Sequence, residues 1–200
     1  MLRNLALLLL LALALACAKP SPGPPIADVQ RYPQNASFYL THQSETANLV
    51  SRTRQQSLAQ RFVQRYFLPW HAGSALHSSE EVFWGHREFA DQALYGENLR
   101  PHTSSWWKEL IAKANPGSYP NAHQKAITVR TTHMRVLPTH KPGFLDPDQP
   151  GQGYPFDMFQ NSVLWANTPV LISHKSSRRG WYLVETAWAT GWIPAGDVVL

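Results

Sequence analysis

The sequence predicts an α+β protein in which a helical N-terminal domain packs on a small β-barrel. Two observations lead to this fold class. Apolar residues at helical spacing dominate residues 31–122, whereas short alternating segments broken by turns dominate residues 123–200. Helices followed by strands are typical of α+β architecture, because α/β folds alternate the two kinds of element along the chain.

The first 17 residues predict export and membrane anchoring. Arg3 precedes an apolar run at residues 5–16, which is shorter than the roughly 20 residues that span a bilayer. Residues 14–17 (ALAC) resemble a bacterial lipobox, so residues 1–17 are predicted to be a lipoprotein signal peptide with Cys17 as the lipidated residue. The alternative is ordinary cleavage before Cys17, which leaves a free thiol.

Residues 18–30 contain four prolines and are predicted to form an extended tether. An alanine follows Cys17, as in lipoproteins that are sorted to the outer membrane. The predicted location is therefore the bacterial cell envelope, with the protein anchored to the outer membrane and facing the periplasm. With one cysteine in the whole sequence, an internal disulfide is excluded.

Three helices are predicted within the helical domain. The first covers residues 55–67, where Leu58, Phe62 and Tyr66 recur every four residues. The second begins with a capping box at residues 78–81 and is expected to end at Gly96. It is predicted to bury Val82, His86, Phe89 and Ala93. The third begins at Ser104 or Ser105 and ends at residues 115–117. Its broad apolar stripe consists of Trp106, Trp107, Leu110, Ile111 and Ala114.

Five short strands are predicted for the β-barrel. They cover residues 127–131, 170–174, 181–186, 191–194 and 197–200. The second and third form a hairpin, and Trp181 and Leu183 are predicted to face the opposite side from Tyr182 and Val184. The sequence leaves open whether this barrel is complete at Leu200.

Several loop and strand motifs resemble the first bacterial SH3 domain of NlpC/p60-type cell-wall peptidase lipoproteins. They are residues 135–139 (RVLPT), 141–142 (KP), 153–157 (GYPFD), 160–162 (QNS), 181–186 (WYLVET) and 191–194 (GWIP). The upstream residues 67–70 (FLPW) resemble the N-terminal helical domain of the same lipoproteins.

The resemblance implies a fold and a biological setting. In the family, the helical domain wraps the first SH3 domain, and a second SH3 domain and a papain-like Cys-His peptidase follow. That peptidase cleaves the stem peptide of peptidoglycan after D-glutamate. These later domains would lie beyond Leu200, so the resemblance assigns no catalytic residue to residues 1–200.

The residues themselves indicate no catalytic or metal centre. No Gly-x-Ser-x-Gly motif is present, and the nine histidines show no recognised metal spacing. Asp146 and Asp148 share a Pro-rich turn, where turn capping explains them better than glycoside hydrolysis. Asp157 is predicted to fix its loop by accepting hydrogen bonds from backbone amides. No cofactor is predicted, and the scattered charges, with a net charge of +5, do not indicate nucleic-acid binding.

Aromatic residues are the better functional signal, because a small barrel cannot bury all of those it contains. Tyr154, Phe156, Trp165 and Trp188 are predicted to line a shallow groove for cell-wall peptide or for a partner domain. The alternative is that they pack against the N-terminal helices, with Trp106 and Trp107 on the other side.

Three functions remain open at this point. The favoured one is a non-catalytic SH3-domain lipoprotein that binds or positions peptidoglycan or a cell-wall peptidase, with a membrane contact through its lipid anchor. The second is the N-terminal part of a murein endopeptidase, a cysteine peptidase that acts between D-glutamate and a diamino acid. The third is a periplasmic structural protein without wall binding.

Overall fold

A computed structural model describes residues 26–39 and 48–200. The chain divides into two compact units, and the boundary along the sequence lies between residues 51 and 52. Within its described residues, the first unit contains helices α1 (Ala27–Arg31) and α2 (Ala36–Tyr39). Cys17, the predicted signal peptide and most of the predicted tether lie outside the described residues. No helix in the described part of the chain has the length and apolar character needed to cross a membrane.

The second unit begins with five helices. They are α3 (Arg52–Tyr66), α4 (Leu68–His71), α5 (Ser79–Val82), α6 (Trp84–Glu88) and α7 (Ser104–Ala114). A 3-10 turn (Pro116–Ser118) leads into the sheet. The first and third predicted helices are confirmed as α3 and α7. Thr103 caps α7, and Asn115 ends it in the left-handed conformation.

The second predicted helix is wrong in length. The capping box at Ser78 and Glu81 is present, but the helix is interrupted at Phe83 and ends at Glu88. Beyond it, Tyr95 and Phe144 exchange backbone hydrogen bonds of 2.8 and 2.9 Å, so this segment pairs with a distant loop instead of continuing the helix. As a result, Ala93 is exposed and Leu94 is buried in its place.

Seven antiparallel strands form the sheet. They are β1 (Gln124–Thr128), β2 (Thr132–Arg135), β3 (Gln160–Leu164), β4 (Pro169–Lys175), β5 (Trp181–Glu185), β6 (Thr190–Pro194) and β7 (Val198–Val199), in the order β3-β2-β6-β5-β4-β1-β7. The β4–β5 hairpin and β6 confirm the prediction, and β1 begins three residues earlier than expected. A 3-10 turn (Ala195–Asp197) precedes β7. The sequence prediction missed β2 and β3.

The interior consists of three clusters of apolar side chains. One lies within the sheet and contains Ala126, Met134, Leu164, Val170, Ile172, Val184 and Ile193. The other two combine residues from the helical region with residues from the β domain. Phe89, Leu94, Trp107 and Leu110 pack with Val136, Leu137 and Phe159 of the β2–β3 loop in one, and Val82, Phe83, Ala114, Trp181, Leu183 and Trp192 form the other. The predicted alternation of β5 is confirmed, because Leu183 and Val184 lie in different clusters.

Candidate functional site

An open groove lies between α3 and the loop that joins β5 to β6. It has a volume of about 540 Å³ and is lined by Leu58, Arg61, Phe62, Arg65, Tyr66, Ala187 and Trp188. This size falls within the ~300–1,000 Å³ range of small-molecule and cofactor sites. We call it the α3 groove.

A row of aromatic rings forms the floor of the α3 groove. The Phe62 and Tyr66 rings lie 5.2 Å apart and nearly parallel, and the Trp188 ring stacks on Tyr66 at 6.0 Å. The row remains open to solvent, since Phe62 is 62% exposed and Trp188 is 53% exposed. Stacked rings with one free face are suited to contact a flat or apolar ligand group.

The α3 groove also carries positive charge without acidic partners. Arg61 and Arg65 line it one helical turn apart, and α3 contains no Asp or Glu. The ion pairs within the described residues involve other arginines and a histidine, so neither Arg61 nor Arg65 is paired there. The groove therefore combines an apolar floor with two free guanidinium groups.

The short helix after α3 fixes the groove to the sheet. The Trp70 indole Nε1–H donates to the carbonyls of Ala126 and Val170, at 3.1 Å each. Ala126 and Val170 are themselves paired across β1 and β4. Because Trp70 lies in α4, directly after α3, these bonds hold the end of α3 near the strands.

A second groove, of about 390 Å³, surrounds a buried ion pair. Its lining is His133, Arg135, His140, Pro155, Asp157, Gln160 and Val163. The Arg135 guanidinium donates to the Asp157 carboxylate at 2.5 Å, to the carbonyls of Thr139 and Lys141, and to the Gln160 side chain. All three nitrogens of this guanidinium donate hydrogen bonds inside the protein, so its role is to hold loops in place.

Asp157 has the role that the sequence predicts for it. Its Oδ1 accepts hydrogen bonds from the amides of Gly143, at 3.0 Å, and Phe159, at 2.9 Å. With Oδ2 on Arg135, the carboxylate joins both ends of the loop that carries Tyr154 and Phe156. A carboxylate satisfied in this way is a structural group rather than a general acid.

Two histidines are buried among aromatic rings. Burial, together with the nearby positive charge of Arg87, lowers the pKa of His86 to about 4, and neither of its ring nitrogens has a hydrogen-bond partner within the described residues. Burial also lowers the pKa of His174, whose Nε2 lies 2.9 Å from the Ala114 carbonyl. The described residues contain no group of three His, Cys, Asp or Glu side chains that could hold a metal ion.

A buried carboxylate connects the helical region to β5. Glu185 is fully buried and accepts a hydrogen bond from the Leu76 amide at 2.7 Å. Its Oε1 also lies 3.4 Å from the Tyr119 hydroxyl, which donates its proton to the His77 carbonyl at 2.8 Å. Burial and the negative charge of Glu185 raise the pKa of the Tyr119 hydroxyl to about 12. This hydroxyl therefore stays protonated at neutral pH and acts as a donor.

The four predicted ligand-binding aromatics are all exposed: Tyr154 at 82%, Phe156 at 57%, Trp165 at 76% and Trp188 at 53%. They lie on three different connections between strands, namely β2–β3, β3–β4 and β5–β6. Phe156 and Trp165 flank opposite ends of β3, a separation of roughly 15 Å or more at about 3.3 Å per residue. Of the four, Trp188 lies in the α3 groove, and ligand binding by the set stays a prediction.

Sequence reasoning did not identify most of the α3 groove. The spacing of Leu58, Phe62 and Tyr66 predicted a helix but not a site, and α3 has no buried residue. The signal for an exposed site was the charge of this helix, which has four arginines and no acidic residue in 15 positions. Its contact with Trp188 joins residues more than 100 positions apart, which no local pattern reveals.

Comparisons with known proteins place these features in a family. Residues 5–119 match the model of the NLPC_P60 N-terminal stabilising domain, and residues 142–194 match an SH3 domain of the SH3b1 type. The second match confirms the predicted SH3-like β domain. A search of the curated proteins finds no match.

One solved structure is similar to this chain in fold. It is described as a novel NlpC/P60 endopeptidase from Photobacterium damselae subsp. piscicida. The TM-score is 0.73 at 25% sequence identity, and the alignment covers 84% of this chain and 41% of that chain. The present chain thus spans about two fifths of the length of the endopeptidase. Since the stabilising-domain model covers more than half of the 200 residues, the chain belongs to the NlpC/P60 N-terminal stabilising-domain family.

Proposed function

We propose that this protein is a non-catalytic, lipid-anchored component of the bacterial envelope that binds or positions peptidoglycan or a cell-wall peptidase. The NlpC/P60 N-terminal domain and the SH3b domain fit a cell-wall peptidase-associated protein. The observation that carries the finer proposal is the exposure of Tyr154, Phe156, Trp165 and Trp188 on a β domain whose interior is already filled. Exposed aromatic rings of this kind stack on sugar faces and grip extended peptides.

Retention on purified sacculi tests wall binding. We expect the mature protein to sediment with sacculi, and a variant with all four aromatics changed to Ala to lose most of this retention. Trp84→Ala is the matched control, because Trp84 is also an exposed aromatic but lies in α6, outside the SH3-like domain. Retention that is absent in the wild type, or equal in all three proteins, would count against the proposal.

The lipid anchor is a separate part of the proposal and has its own test. The lipobox at residues 14–17 supports thioether formation at Cys17, and the residue after it supports sorting to the outer membrane. Metabolic labelling with a radioactive fatty acid should mark the wild type and leave Cys17→Ser unlabelled. An unlabelled wild-type protein in the soluble periplasmic fraction would contradict anchoring.

A second candidate function is the N-terminal part of a murein endopeptidase. It is favoured by the similarity to an endopeptidase of which the chain covers 41%. The nucleotide sequence after the Leu200 codon separates the two candidates. A reading frame that encodes a second SH3-like domain and a Cys-His peptidase supports the endopeptidase, whereas a stop codon followed by unrelated sequence supports the non-catalytic protein.

A further inference from the structure

The two arginines of the α3 groove have no counter-charge. Arg61 and Arg65 lie at i and i+4 on α3, a spacing at which like charges face each other and destabilise a helix. Within the described residues neither forms an ion pair, and α3 has no buried residue. A negatively charged group placed between them would remove this repulsion and form charge-assisted hydrogen bonds.

A bare anion would match the arginines of the groove but not its apolar part. Phe62, Tyr66 and Trp188 form a continuous row of rings beside the arginines, and Leu58, 44% exposed, extends the apolar surface. A small inorganic anion would leave these rings in water. A suitable occupant has negative groups and an apolar side chain within a few ångströms of one another.

The shape of the groove argues for a chain rather than a membrane. Its walls are α3 on one side and the Ala187–Trp188 loop on the other, so the rings lie in a concave site of about 540 Å³. A bilayer surface is flat and suits a helix that presents a convex apolar face. An extended peptide can lay one side chain on the ring row while its carboxylates reach the arginines.

We propose that the α3 groove binds an acidic segment of a partner protein, with one aromatic or aliphatic side chain as anchor. In this arrangement Arg61 and Arg65 hold the carboxylates, and the anchor covers Phe62, Tyr66 and Trp188. The inference goes beyond the proposed wall-binding function, because its site lies mainly on a helix outside the SH3-like domain and its occupant is defined by charge.

The test uses the mature protein and two synthetic peptides, acetyl-EEFLEE-amide and its uncharged analogue acetyl-QQFLQQ-amide. Binding is measured by fluorescence titration and by the NMR signal of the Trp188 indole N–H. We expect saturable binding of the acidic peptide with a shift of that signal, and at least about tenfold weaker binding of the analogue. The double variant R61Q/R65Q should lose at least about tenfold in affinity.

The matched control is R178Q/R179Q, which removes the same charge from the exposed β4–β5 turn. It should bind the acidic peptide within about twofold of the wild type. An equal loss of peptide affinity in both double variants would show that net charge alone explains the binding, and would overturn the proposal. Absence of saturable binding by the wild type would also overturn it.

Two further outcomes would assign the groove to another occupant. Sedimentation with phosphatidylglycerol vesicles that requires Arg61 and Arg65, without peptide binding, would make the occupant a membrane surface. A concentration-dependent dimer that R61Q/R65Q abolishes would make it a second copy of the chain. Trp188 belongs to both proposed sites, but neither arginine belongs to the aromatic set assigned to the wall. Sacculus retention of R61Q/R65Q therefore reports on the proposed function separately.

Discussion

Single buried polar residues hold the long loops of this protein to its sheet. The Arg135–Asp157 pair ties the β2–β3 loop at both ends, and Glu185 accepts a hydrogen bond from the Leu76 amide, in a segment that precedes the sheet. Arg135 and Glu185 are buried and Asp157 is partly buried, so the loss of Asp157 leaves a buried guanidinium without its counter-charge.

The first prediction concerns Asp157. Asp157→Ala leaves the buried Arg135 guanidinium without its carboxylate and two amides without an acceptor, and should lower the free energy of unfolding by about 3 kcal/mol. Urea denaturation measures this change. Asp148→Ala, at an exposed position of the same loop, should change stability by less than about 0.5 kcal/mol. Similar effects of the two substitutions would contradict the structural role of the pair.

The second prediction concerns the pH dependence of stability. The folded protein holds the pKa of His86 at about 4, against 6.5 for a free histidine, so the unfolded chain takes up a proton first as the pH falls. The stabilising contribution is complete above pH 6.5 and is lost between pH 6.5 and about 4. At about 1.4 kcal/mol for each pKa unit, the loss is on the order of 3 kcal/mol.

Chemical denaturation at several pH values measures this effect. His86→Leu removes the titrating group while filling a similar volume, so its stability should fall less steeply than that of the wild type over this range. Parallel pH profiles for the two proteins would show that His86 is not the group responsible.

At the scale of elements, α3 is a helix held at one end. None of its residues is buried, and the fixed point is the Trp70 indole in the following helix. Isolated helices of about 15 residues are marginal in water, so α3 depends on this fixed end and on the stack with Trp188.

The third prediction follows from this arrangement. Trp70→Phe keeps an aromatic ring but removes the donor to Ala126 and Val170, and should cost about 1–2 kcal/mol. Relative to the wild type, this substitution should accelerate amide hydrogen exchange more in α3 than in α7. Trp84→Phe, a substitution of an exposed tryptophan in α6, is the control and should leave the exchange of α3 unchanged. Unchanged exchange in Trp70→Phe would place the fixed point of α3 elsewhere.

Sequence patterns predicted the elements that are formed by residues close together in the chain. The capping box at Ser78, the stripe of α7 and the β4–β5 hairpin were all foreseen. Strands β2 and β3 were missed because their pairing is long-range, for example between Thr132 and Leu164. The α3 groove was missed for the same reason, since α3 and Trp188 are brought together by the fold alone.

At the scale of the whole molecule, the sheet is completed by a two-residue strand. Val198 and Val199 pair with Thr128 and Ile127, and the preceding Asp197 accepts a hydrogen bond from Thr132. Without this strand, β1 would present an unpaired edge, which favours association with other chains.

The fourth prediction uses the two faces of this strand. Val198 packs against the cluster inside the sheet, whereas Val199 is exposed. Val198→Asp should therefore lower the free energy of unfolding by about 2 kcal/mol or more and promote aggregation, because it places a carboxylate against apolar side chains. Val199→Asp should remain within about 0.5 kcal/mol of the wild type. Thermal unfolding and light scattering measure both effects, and equal behaviour of the two variants would contradict this orientation.

The two interior clusters that mix helical and β residues limit how this SH3-like domain can be reused. Trp181 and Trp192 are buried partly by Val82, Phe83 and Ala114, which lie upstream of the first strand. A gene fragment that begins at the sheet would encode a protein with two large indoles in water. In this architecture the β domain is not a portable module, and recombination that moved it to another protein would have to carry the preceding helices with it.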